Sequence, residues 1–169
     1  CMNTLYFLSK NVSSKHRIIL FENKRYLTKF PTQITSNQLT DVFNTLSQFV
    51  RDLNPEIRSK IKFRTKGNFG YDSRKKFLKI FSEKNIDEVS PENPFEKTIL
   101  NSKLIISTYA HTAFSEAMYS NIPTILIIKT NYLQLSKSAL NIFDVLKKNK
   151  IAFDDFNEAK IHINKYWKE

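Results

Sequence analysis

The chain has 169 residues, 41% of them hydrophobic, with fourteen Phe and a formal net charge of +11 at pH 7. That is enough apolar material for one packed domain over residues 1–169, and it excludes wholesale disorder. No apolar run reaches the ~18 residues of a membrane span, and Met2 to Leu8 is too short for the apolar region of a signal peptide. One cysteine and three histidines leave neither an internal disulfide nor a structural zinc site, so a cytoplasmic protein without a bound metal or cofactor is expected.

In chain order, Arg17 to Phe21 (RIILF) reads as a strand. Leu39 to Leu53 repeats apolar residues with a helical period, through Val42, Phe43, Leu46, Phe49 and Val50. Ile61 to Thr65 follows as a strand, Ser73 to Lys84 as a helix with Phe77, Leu78 and Phe81 inward, and Ile86 to Val89 as a short strand. Pro91 and Pro94 precede a short helix, Phe95 to Asn101. Leu104 to Ser107 is a buried strand, 112–120 a helix, and Thr124 to Ile128 a second buried strand. Asn121 is placed to end that helix, since it tolerates the left-handed conformation and Pro123 forbids continuation. Ser138 to Lys148 is amphipathic, Ile151 to Phe153 a last strand, and Phe156 to Trp167 a closing helix. Strands separated by helices of these lengths imply βαβ units and a three-layer α/β domain of about six mostly parallel strands.

The charge is uneven: residues 1–90 carry a net +9 and residues 91–169 a net +2. Arg58, Lys60, Lys62, Arg64 and Lys66 alternate onto one face, which implies a strand with one wet face or one near the sheet edge. That strand runs into Lys66-Gly67-Asn68-Phe69-Gly70-Tyr71, which holds both glycines of the chain. The loop would bring Arg64 and Lys66 to a phosphate or carboxylate; the lysines read equally well as a solvated face. The same cluster, with Phe63, Phe69, Tyr71 and Phe77 interleaved, is what a non-enzymatic nucleic-acid-binding domain would show.

Residues 104 to 124 carry the most chemistry. The turn Ser107-Thr108-Tyr109-Ala110-His111-Thr112 joins a strand's carboxyl end to a helix's first turn, where free N–H groups and the helix dipole favour an anion. Thr112 is the expected N-cap and Glu116 a first-turn carboxylate. A diphosphate would take the N–H groups of the 108–113 turn, Ala113 included, and the Thr112 hydroxyl. Glu116 would accept from a sugar or ribose hydroxyl, and His111 would line the site.

This run resembles the donor-binding strand–turn–helix–strand of GT-B type glycosyltransferases. The order of motifs is more closely similar to bacterial surface-carbohydrate (O-antigen-type) transferases, distant relatives of CDP-glycerol glycerophosphotransferases. The matching pieces are Arg64 with Gly70-Tyr71, Ser107-Thr108-Tyr109 with Thr112 and Glu116, Asn121-Ile122-Pro123-Thr124, and Ser138-Ala139 with Phe143-Asp144 and Leu146. The resemblance implies a Rossmann-like half of a GT-B fold that binds a nucleotide-activated donor. Arg64 and His111 would be its catalytic groups; Lys66, Ser107, Thr108, Tyr109, Thr112, Ala113, Glu116 and Ser138 would be its binding groups. Thr130-Asn131-Tyr132-Leu133-Gln134-Leu135-Ser136 departs from the family pattern. Such transferases also place the acceptor site and catalytic base on a second domain, so a missing amino-terminal domain or partner chain is implied. The basic surface would suit peripheral contact with an anionic membrane.

Overall fold

The computed structural model describes residues 16–21, 35–65, 72–87, 90–110, 112–133 and 135–167. Six strands, β1 (His16–Phe21), β2 (Ile61–Thr65), β3 (Ile86–Asp87), β4 (Ser102–Ser107), β5 (Thr124–Ile127) and β6 (Ala152–Phe153), form one sheet in the order β3-β2-β1-β4-β5-β6. Every neighbouring pair is parallel. Around them lie seven helices among the described residues: α1 (Ser36–Arg51), α2 (Pro55–Ser59), α3 (Ser73–Leu78), α4 (Phe95–Leu100), α5 (Thr112–Tyr119), α6 (Lys137–Lys148) and α7 (Phe156–Tyr166). The strand order is that of doubly wound dinucleotide-binding folds.

Alternation along each strand sends neighbouring side chains to opposite helical layers. Ile106, Ile125, Ile127 and Phe153 meet α1, α3 and α7 in the larger core. There Phe63 stacks on Phe77 at 4.1 Å between ring centroids, and Phe49 of α1 meets Phe156 of α7 edge-on at 5.6 Å. Ile105 faces α4 and α5, with Ile99 and Ala117, while Leu126 and Ala152 face α5 and α6, with Phe114 and Phe143. Four consecutive buried residues in β5 follow from being covered on both sides.

Local signals explain the boundaries. Thr35 and Gln38 form a reciprocal capping box that starts α1 ahead of its first core residue, Leu39. Pro55 at the first turn opens α2, a helix absent from the sequence reading, because Pro is tolerated there. The expected helix 73–84 stops at Leu78 and resumes only as a 3-10 turn over Glu83–Asn85. Asn121 adopts φ 56° as expected, and Lys150 does the same at φ 58° after α6. Each closes its helix with a bond from the next residue, Ile122 N–H to Ala117 and Ile151 N–H to Leu146.

Of the two expectations for 58–66, a wet face or a place near the sheet edge, the second holds for β2 and the first is corrected. Arg58 lies in α2 and Lys60 caps it, so the alternation does not begin in a strand. β2 lies next to the two-residue edge strand β3, and its Arg64 is buried beneath α4, with 7% of it exposed.

Candidate functional site

In this parallel sheet the strand order reverses between β1 and β4, and Leu20 pairs with Ser107 at the carboxyl end of both. Ligands of open α/β sheets bind outside the carboxyl ends at such a switch. Ser107 is fully buried there, and its hydroxyl donates to the Tyr109 carbonyl at 2.6 Å, which folds the chain back on itself. Tyr109 and Ala113 then pack on the Ile99–Ile105–Ala117 cluster, so the turn is anchored at both ends while Thr108 stays half-buried.

Helix α5 begins at Thr112, an exposed residue. Thr112 is therefore the first helical residue rather than the N-cap, and its own N–H is among the donors without an intrahelical partner. Glu116 falls in the second turn, not the first. It is half-buried, and burial, together with the nearby Glu96 charge, holds its carboxyl above the usual carboxylate range. Ser138 is exposed in the first turn of α6, beside the capping Ser136, with 3.0 Å between the hydroxyls. His111, Lys66 and the Gly67–Tyr71 loop lie outside the described residues.

Arg64 does not stand open at this edge. Its Nη1 donates to Asp87 at 2.7 Å and to Thr98 at 2.8 Å, and its Nη2 donates to the Asn93 carbonyl at 2.8 Å. Asp87 also accepts from the Thr98 hydroxyl at 2.9 Å and the Asn93 amide at 3.1 Å. The guanidinium thus ties β2 to β3 and α4, with its charge matched inside the fold. Its reading as a cation open to a ligand is corrected on that ground.

A constellation that the sequence reading missed lies on the neighbouring loop. Leu126 pairs with Ser107, so the segment after β5 runs beside the 108–110 turn. Lys129 on it donates to Asp41 of α1 and, at 3.3 Å, to Thr45, and sits 5.4 Å from the Tyr132 ring centroid. The Tyr132 hydroxyl donates to the same Asp41 oxygen at 2.7 Å. Hydrogen bonds from Lys129, then Tyr132, hold the Asp41 carboxyl below its ordinary value, and the bond to Asp41 raises the Tyr132 phenol. The available signal was a lone lysine straight after the apolar run Ile125 to Ile128. Its partners Thr45 and Asp41, 84 and 88 residues away, left no trace in local spacing.

Among the described residues no group of three or more His, Cys, Asp or Glu side chains could hold a metal ion, and no helix is long and apolar enough to cross a membrane. The fold and this edge define a parallel α/β domain with an anchored polar turn at the switch between its two halves. The chain matches the model of the LIC12162 family transferase over residues 4–169, and it belongs to that transferase family. No curated protein and no solved structure matches it.

Proposed function

We propose that the chain is the donor-binding half of a GT-B-like transferase that supplies a nucleotide-activated sugar or alditol to cell-envelope polysaccharide synthesis. The observation that carries this reading is the Ser107-closed turn, which leads into the amino terminus of α5 at the switch of a doubly wound sheet, in a chain of a transferase family. The donor diphosphate takes the N–H groups at the start of α5, including that of Ala113, and the Thr112 hydroxyl. Glu116 accepts from a sugar hydroxyl, and Ser138 with Thr108 and Tyr109 completes the polar wall. Arg64 and Lys129 are both ion-paired, but Arg64 is 7% exposed and Lys129 22%, so Lys129 is the more accessible cation to offset negative charge on the departing nucleotide; Lys66 and His111 are further candidates from the sequence. The acceptor hydroxyl, its base and the second wall come from an amino-terminal domain or a partner chain. The basic surface holds the protein at the inner face of an anionic membrane. The nucleic-acid reading loses Arg64 from its basic cluster, and Arg74 is paired with Glu83 at 3.0 Å.

Calorimetric titration with CMP, CDP, UDP, GDP and TDP tests the reading. Saturable binding of one nucleotide is expected, weakened by Thr112→Ala and Glu116→Ala. Loss of the Thr112 hydroxyl should cost about 1 kcal/mol, or about 1.5–3 kcal/mol if it meets a charged phosphate. Absence of nucleotide binding, with salt-sensitive binding of single-stranded DNA or RNA instead, would overturn it.

A further inference from the structure

At the opposite, amino edge of the sheet, a cavity of about 520 Å³ opens between the starts of β4 and β5 and the last turns of α5 and α7. It lies far from the carboxyl-edge turn and takes no part in the function proposed above. Leu104, Met118, Ile122, Pro123, Ile151 and Ile163 make its walls apolar. Lys103 and Lys150 stand among them, and no carboxylate lines the cavity among the described residues. Its volume is within the range of small-molecule sites. Each helix end at this edge contributes only about half a negative charge, which fades within a turn and which two whole ammonium charges outweigh.

Two further observations point to a ligand rather than a packing defect. Lys150 is held at φ 58°, a conformation that costs a side-chain-bearing residue roughly 1–2 kcal/mol, where glycine would cap α6 without strain. Lys103 donates to the Trp167 carbonyl at 3.3 Å and lies 5.9 Å from its ring centroid, so one cation is fixed against the aromatic wall. An ammonium has three donors, and this contact leaves others for a ligand.

We propose that this cavity binds an amphipathic anion, a molecule with an apolar body and a phosphate or carboxylate head. The body fills the space against Met118, Ile163 and Trp167, and the head meets Lys103 and Lys150. Trp167 is the only tryptophan in the chain, so its fluorescence reports occupancy directly.

The test titrates the full chain with octyl phosphate and with octanoate, both below their micelle concentrations, and reads Trp167 emission. A saturable change is expected, with octanol and octyltrimethylammonium at least tenfold weaker. Lys103→Gln and Lys150→Gly should each weaken binding about fivefold, the scale of one partly exposed ion pair. Lys150→Gly should hold or raise Tm, because it relieves the left-handed strain, so lost affinity cannot be mistaken for lost folding. Vesicles of phosphatidylglycerol distinguish the sources: a Trp167 response to vesicles assigns the head to a membrane lipid, and a response confined to the soluble amphiphiles assigns a free one. No saturable response to either anion, or an equal response to octanol or the cationic amphiphile, would overturn the proposal.

Discussion

Arg64 is the residue for which a structural and a ligand-binding role predict opposite measurements. Asp87→Ala would strand a guanidinium of which 7% is exposed and remove the acceptor of three hydrogen bonds. Breaking one side of a buried pair costs about 3–5 kcal/mol, and the depth of Arg64 puts this variant toward the upper end. Arg64→Met strands a carboxylate of which 15% is exposed and which keeps Thr98 and Asn93 as donors, so about 2–3 kcal/mol is expected. For a chain of this size each kcal/mol moves Tm by about 2–4 °C, so the expected falls are on the order of 10–15 °C and 5–10 °C. The double variant Arg64→Met/Asp87→Leu should lose less than the two single losses together, by about 1–3 kcal/mol, because neither charge is left unpaired. Urea unfolding and thermal melts measure all three, alongside nucleotide affinity of the folded fraction. A stable Arg64→Met protein that loses nucleotide affinity more than tenfold would refute the reasoning and return Arg64 to the ligand.

Glu116→Gln should raise stability at pH 7. The folded carboxyl sits above its ordinary 4.5, so its ionised form opposes folding, and the gain should vanish as pH falls toward 4.5. The same variant should weaken binding of a nucleotide-sugar more than that of the bare nucleotide, measured by calorimetry. Asp41→Asn has the opposite sign. Its folded value lies below 3.8, so its contribution is present above that pH and is lost on the acid side; the variant should be less stable at pH 7 and show a flatter acid limb in pH-dependent melts. Asn121→Val should cost about 1–2 kcal/mol by melting because of its left-handed backbone, while Asn121→Gly should be close to neutral.

The parts of the fold that were legible in the sequence are those with local causes. The apolar stripe from Leu39 through Val50 found α1, and the LII and TILI runs found the doubly covered strands β4 and β5. Asn121 before Pro123 gave a helix end that the φ of 56° bears out. The errors arose where long-range partners decide. Arg64 alternates with Ile61 and Phe63 as a solvent-facing residue would, and only Asp87, Asn93 and Thr98, 23 to 34 residues away, make its burial affordable. Lys129 was hidden for the same reason, since Asp41 lies 88 residues before it. Thr112 and Glu116 were placed on the right helix but one position and one turn out, the usual uncertainty where a cap and a first turn share a few residues.

The central claim is that a nucleotide diphosphate binds at the carboxyl edge beside β4. Backbone amide chemical-shift mapping by NMR, with the nucleotide that calorimetry selects, tests it most directly. The account predicts the largest changes at Thr108 to Ala113, with smaller ones at Lys129 to Leu133 and Ser136 to Ala139. Changes centred instead on Lys103, Asn121 to Thr124 and His162 to Trp167 would place the nucleotide at the amino edge and contradict it.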